Sequence, residues 1–288
     1  MPFIKEKIFK HIIQVLMVLT LSILVFLFYF LIKEAMPLFN HCKVSEFLFG
    51  TEWMPISFGN ELSFGIWYFI LGTAYVSLIA IVFGIFLSIG IALVITFTLN
   101  DRLKKYVFAV LDLISAIPSV VFGFFGLQVF SPIFFKLGVK TGNCVLLAGI
   151  VLTIMILPFM INSLCMTFEK IKMKYMATAS NLGIDKWYII ASIVLPESVK
   201  SIVLSTILAN CRAMGETMAV MMVMGNAKVF PHLLGKGETI ASLIALEMGT
   251  AIKNSPHYHA LYAAGVVLLI LTFVINQVVH LVGKNNSK

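Results

Sequence analysis

Six long apolar runs constrain this chain more than any other feature. They lie at about 12–32, 67–98, 107–130, 143–166, 201–226 and 258–281. Crossing a hydrocarbon layer takes about 20 helical residues at 1.5 Å rise each. Within such a layer every backbone polar group must be satisfied by protein, so an apolar run of this length folds as a helix. The chain therefore reads as an all-α integral membrane protein with six transmembrane helices. Composition agrees. Of 288 residues, 60% are hydrophobic and 12% charged, against about 25% charged in a soluble domain. The mean hydropathy is +1.01.

The net charge of +8 does not point to nucleic acid. The Lys and Arg residues sit in short connections between apolar runs, with no basic-aromatic patch and no basic helix long enough for a groove. They read instead as topology signals. With the N-terminus inside, thirteen of the 21 Lys and Arg residues fall on the inner side, seven on the outer side, and Arg212 within a span. Both termini are thus expected in the cytoplasm. The first run has a basic start but no small-residue cleavage site before Lys33 and Glu34, so it reads as an uncleaved anchor. Cys42, Cys144, Cys165 and Cys211 show neither C-x-x-C spacing nor a metal pattern, and read as small hydrophobes.

Two connections are long: an external one at 33–66, with Trp53, Pro55 and a Phe58-Gly59 turn, and an internal one at 167–200. A third, external, covers 227–257. No internal repeat is evident, which argues against an inverted-repeat secondary transporter. In the internal connection, a run of small and moderately apolar residues from Tyr175 to Leu182 ends at Gly183. Trp187, Ile190, Ala191 and Val194 then recur at helical spacing, and Pro196 precedes the next run. This predicts two short helices joined at a glycine. They would either rest on the membrane surface or insert into a partner's groove.

The sharpest chemical signal is Arg212-Ala213-Met214-Gly215-Glu216 in the fifth run. A charged side chain at mid-span costs about 2.5–3.5 kcal/mol on insertion scales. Glu216 lies four residues on, one turn away on the same face, and can pair with Arg212. The pair either fixes helix packing or marks a polar route through the membrane. In the third run, Pro118 is expected to kink the helix, and Gly123 and Gly126 to admit close backbone approach. These suit a moving helix and a static, tightly packed one equally.

Resemblance narrows these choices. Ala177-Thr178-Ala179 followed by Gly183 and then by Ile193-Val194-Leu195-Pro196 is similar to the EAA loop of ABC importer permeases. Ala177 stands where the family has its acidic residue, which removes one expected salt bridge. The stretch from Arg212 through Glu216, Thr217, Met218, Ala219 and Val220 to Gly225-Asn226 resembles the R-A-x-G-E-T-M-A-V…G-N signature of PstC-type phosphate permeases. Ile117-Pro118-Ser119-Val120-Val121-Phe122-Gly123, ending at Gly126, is similar to the same family's third-span motif, and Gly72-Thr73 fits as well. The likeness runs from about Trp53 to the last span.

The resemblance implies a type I ABC importer permease fold, with an added helix and external loop at 1–66 and a transmembrane domain at 67–283 whose coupling loop is 167–200. It implies that Arg212, Glu216 and Thr217 lie on the substrate pathway, where the planar guanidinium suits phosphate. Glu216 would gate rather than bind, because a bare carboxylate repels an anion. It implies that Ala177, Thr178, Ala179, Gly183, Ile193, Leu195 and Pro196 couple to an ATPase, and that Pro118, Ser119, Gly123 and Gly126 shape a kink and its packing. The partners implied are a PstA-like second permease, a dimeric ATP-binding subunit, a periplasmic or lipid-anchored phosphate-binding protein, a phosphate-signalling regulator and membrane lipid. No cofactor, metal or catalytic set is expected. A same-fold permease for sulfate, molybdate or phosphonate remains open, as does an ion-coupled secondary transporter.

Gly235-Lys236-Gly237-Glu238-Thr239 lacks the order of a phosphate loop. His257 and His259 are expected as surface groups at the outer edge, and Asp112 as a solvated group at the inner one.

Overall fold

The computed structural model describes residues 2–55 and 62–285; the Phe58-Gly59 turn lies outside them. Helix α1 (Pro2–Ala35) leads through a 3-10 turn to the short α2 (Val44–Phe49). A small antiparallel hairpin follows, β1 (Trp53–Met54) with β2 (Ser63–Phe64), pairing Trp53 with Phe64. Then come α3 (Trp67–Phe97), α4 (Asp101–Ala116), α5 (Ser119–Phe125), α6 (Ser131–Lys136) and α7 (Val145–Asn181). The chain closes with α8 (Lys186–Ile189), α9 (Leu195–Gly215), α10 (Met218–Met224), α11 (Ile240–Glu247) and α12 (Pro256–Asn285). Among the described residues, six helical stretches are long and apolar enough to cross a membrane: Phe9–Asn40, Trp67–Phe97, Ser119–Lys136, Val145–Asn181, Lys186–Gly215 and Pro256–Leu281.

Buried side chains form three clusters at successive depths. The outer one joins the end of α1, the hairpin, α11 and the start of α12 through Leu38, Phe47, Trp53 and Leu261. The central one packs α3, α7, α9 and α10 through Val76, Ile156, Ala213 and Val220. The inner one joins the ends of α3 and α7 to α8 through Ile95, Phe168 and Ile190. The middle helix is α7, and small residues bring its neighbours close. A Cβ on Gly149 would lie 2.4 Å from Ile79, and one on Gly84 would lie 3.1 Å from Ile156. By contrast, α1 is exposed along most of its length and touches α12 near its outer end, where Phe30 meets Tyr262 edge-on at 5.7 Å. An apolar helix that leaves its sides bare in this way is covered by lipid. Its Thr20 and Ser22 hydroxyls donate back to Leu16 and Val18 carbonyls at 2.8 Å, so these two hydroxyls are satisfied within the helix.

Three expectations need correction. The third apolar run is two helices rather than one kinked helix. Ile117 (ψ 127°) and Pro118 (ψ 143°) are extended, so the chain breaks there and the spanning segment starts at Ser119. The fourth helix does not stop near 166. It runs to Asn181, and with α8 and α9 it turns the internal connection into the tips of two long helices. Pro196 therefore lies inside a helical run. It follows a π-helical turn, Ile190–Val194, as Pro132 follows one at Gly126–Phe130. Widening the preceding turn accommodates a residue that lacks an N–H and clashes four residues back. Finally, the fifth run breaks at Glu216 and resumes as α10.

Candidate functional site at two helix breaks

The two breaks share one depth. Helices α5 and α10 run outward side by side, and a Cβ on Gly123 would lie 2.9 Å from the Ala219 Cα. Ser119 and Gly215 each precede that contact by four residues. Gly126 repeats the close approach one turn on, where a Cβ would lie 2.7 Å from Val223. Both glycines therefore serve tight packing of α5 on α10. Two discontinuous helices meeting within a membrane protein are tolerated where the freed backbone lines a cavity or is buried in protein. Residues 115–118 at the first break are exposed on this chain.

Arg212 lies on the last turn of α9, directly below the second break. Its neighbours Ala209 and Ala213 belong to the central cluster. The C-terminal end of α10 is fixed by Gly225, which bridges to Gly237 in the following loop. Arg212 lies three residues before the end of the apolar stretch Lys186–Gly215, and α10 carries the chain on past the break. Asn210, two residues earlier, points almost the opposite way around the helix. It is fully buried, and its amide donates to Asn276 Oδ1 on α12 at 2.8 Å. That bond pins α9 to α12 and turns Arg212 outward. Arg212 is exposed on this chain and makes no hydrogen bond or ion pair with any described residue.

The expected pair of Arg212 with Glu216 does not form. A spacing of four brings side chains together only on a continuous helix, and α9 ends at Gly215. Glu216 is extended (φ −73°, ψ 119°), and its Oε1 accepts the Ala219 N–H at 3.3 Å. It caps the first turn of α10 instead. The Thr217 hydroxyl donates to the Gly215 carbonyl at 3.3 Å, so Thr217 closes the break locally.

At the tip between α7 and α8, Gly183 turns the chain with φ +66° and nothing near its Cβ position. An L side chain resists that conformation. Asp185 caps α8 by accepting the Trp187 N–H at 2.9 Å. Ala177 and Thr178 are exposed, and Ala179 is buried. Ile193 and Leu195 are half-buried and Pro196 is exposed. Ile190 and Val194 are buried in the core, and Trp187 is not. It is 64% exposed, and with Leu182 (70%) and Tyr188 (64%) makes an apolar tip.

One feature escaped the sequence. At the end of the molecule opposite Gly183, Glu247 of α11 joins the hairpin, the 225–239 loop and α12. It accepts from Trp53 Nε1 at 2.7 Å and Lys228 Nζ at 2.5 Å, and lies 2.9 Å from His257 Nε2. Burial alone would push its carboxyl up, but Lys228, Trp53 and His257 outweigh it and hold it below the usual carboxylate range. Nearby Glu238 is 3% exposed. Burial pushes its carboxyl up to about 7, with Lys228 opposing and Glu247 adding to the rise. The two histidines are buried rather than superficial, and His259 Nδ1 lies 2.7 Å from the Glu34 carbonyl. No cluster of His, Cys, Asp and Glu among the described residues has the form of a metal site.

Comparison with known proteins adds independent support. Residues 84–288 match a family described as "Binding-protein-dependent transport system inner membrane component". The phosphate transport system permease protein PstC of Xylella fastidiosa is 32% identical over 257 residues, covering 82% of this chain and 78% of its own length. PstC 2 of Mycobacterium tuberculosis is 30% identical over 284 residues, covering 90% and 86%. Among solved structures, a chain of the MetNI methionine ABC transporter superposes with a TM-score of 0.61 at 15% identity, over 77% of this chain and 98% of that one. A chain of a bacterial ABC transporter for the acidic polysaccharide alginate gives a TM-score of 0.59 at 15% identity, over 77% and 79%. Likenesses at that identity carry the fold alone.

Proposed function

The chain belongs to the family of binding-protein-dependent transport system inner membrane components and has the type I ABC importer permease fold, and from that premise we propose that it is the PstC-type permease subunit of an ATP-driven phosphate importer. Several PstC proteins resemble it over most of its length, which supports phosphate as the cargo. In this reading the chain forms half of the translocation pathway in the bacterial inner membrane. Residues 67–283 form the transmembrane domain and residues 1–66 an added helix and outer loop. The excess of Lys and Arg on one side supports cytoplasmic termini. A PstA-like permease forms the other half, and a phosphate-binding protein delivers cargo from outside. ATP hydrolysis belongs to a separate dimeric subunit that grips the Gly183 tip.

One observation carries the reading: an exposed arginine within a candidate membrane span, beside two helix breaks, with no partner among the described residues. Such a residue faces a bundle interior or a water-filled path, and its planar fork fits a tetrahedral oxyanion. Glu216, held by the α10 backbone, leaves the guanidinium free for substrate. Thr217 stands at the same break. Arg212→Ala is expected to abolish phosphate uptake in proteoliposomes, while the purified complex keeps its composition. Wild-type uptake by this variant would remove Arg212 from the pathway.

A further inference from the structure

Helix α3 is held at both ends by the two segments an importer must coordinate. At its cytoplasmic end, the last carbonyls of a helix have no partner within the helix and carry its negative dipole end. Two ammonium groups reach them. Lys172 Nζ donates to the Thr96 carbonyl at 2.7 Å, and Lys186 Nζ donates to the Phe97 carbonyl. Lys172 comes from α7 before the Gly183 turn and Lys186 from α8 after it, so each arm of the cytoplasmic hairpin supplies one donor. Glu169 braces this grip by bonding Lys104 of α4 and lying 3.9 Å from Lys172.

At its outer end, the Thr73 hydroxyl accepts the Ile240 N–H at 3.0 Å, at the start of α11. One residue earlier, Gly72 lets the Glu238 carbonyl approach so closely that a Cβ would lie 2.3 Å away. Both points lie on α3, which is 31 residues of unbroken helix without a proline from Trp67 to Phe97. At 1.5 Å per residue it is a rod of about 46 Å. The third and fifth spans beside the pathway are interrupted instead.

We propose that α3 is a strut that carries displacement of the ATPase-docking hairpin to the external 225–239 loop, with Lys172 and Lys186 as positioning residues that grip its inner end. This rests on the importer reading above and adds the route by which the motor reaches the outer face. With both lysines the hairpin moves α3 as one body. Without them the hairpin tip loses its hold on the end of α3, which stays packed on α7, so fewer of its movements reach the far end of α3 and less phosphate moves per ATP.

The test uses the full complex, purified with its partner subunits and reconstituted into proteoliposomes. Phosphate taken up and ATP hydrolysed are measured together. A Lys172→Met, Lys186→Met double variant is expected to keep ATP hydrolysis and to lose about fivefold or more in phosphate moved per ATP, the usual scale of a coupling between sites. The Lys172→Arg, Lys186→Arg variant keeps a donor at each carbonyl and is expected to restore the ratio. A purely structural role would lower hydrolysis and uptake together. An unchanged ratio in the methionine variant overturns the strut. If that variant fails to assemble, Thr73→Val decides: it is nearly isosteric, lies at the far end of α3 and is expected to lower the same ratio, and a wild-type ratio overturns the strut. Absence of phosphate uptake by the wild-type complex would refute the importer reading instead, whatever the variants do.

Discussion

Two charged sites sit in this molecule under opposite conditions. At the outer face, Glu247 is surrounded by Trp53, Lys228 and His257, each within hydrogen-bonding reach. Beside the second helix break, Arg212 touches no polar partner among the described residues. A partnered cluster joining four elements is a fastening, and removing its hub strands the groups around it. Arg212, unpartnered among the described residues, fastens nothing there, and we propose that its role lies with an anion arriving from outside. The pair separates residues that hold the fold from residues that the fold holds ready.

Removing each charge sharpens that contrast. Arg212→Ala, inactive in uptake, is expected to melt within about 0.5 kcal/mol of wild type, as for a substitution away from packing. Glu247→Ala is expected to cost about 2–4 kcal/mol, because Trp53, Lys228 and His257 lose a shared buried acceptor. Thermal unfolding of the purified complexes compares the two, and equal losses would erase the distinction. Gly123→Ala comes next. Its Cβ would crowd the Ala219 Cα and the Met222 sulfur, both at 2.9 Å. Overpacking of this kind costs about 1–3 kcal/mol, and uptake should fall with it if the register of the two breaks matters. A melting temperature equal to wild type would show that α5 and α10 are looser than their contact implies.

The smallest effect is a pH dependence. Glu238 titrates near 7 when folded, against 4.5 as its ordinary value. The folded state therefore binds more protons than the unfolded state between those values, and stability falls as pH rises through that window. Glu238→Gln should flatten this slope and melt higher than wild type at pH 8. An unchanged slope would assign the pH dependence to other groups.

The two sites also differ in how far the sequence foretold them. The six spans were legible because runs of about 20 apolar residues have one stable fold in lipid. Arg212 was legible because a charge within such a run is conspicuous. Its separation from Glu216 was not, since four-residue spacing reads as one helical face unless the break is known; Gly215 was the only local hint. The α7 extension was hidden because Lys170, Lys172 and Lys174 look like a loop, although the helix runs on through them to Asn181. The Glu247 cluster had no local signal, since Trp53 and Glu247 are 194 residues apart and their meeting is a product of tertiary packing. His257 and His259 were misread for the same reason.

Access from water to position 212 tests the pathway most directly. Arg212→Cys in a Cys211→Ser background can be exposed to a membrane-impermeant, negatively charged thiol reagent, with the assembled transporter held in each nucleotide state. Position 212 is expected to react in at least one state, and phosphate is expected to slow the reaction. A thiol that stays inert in every state, with or without phosphate, would contradict a place for Arg212 on the route of the anion.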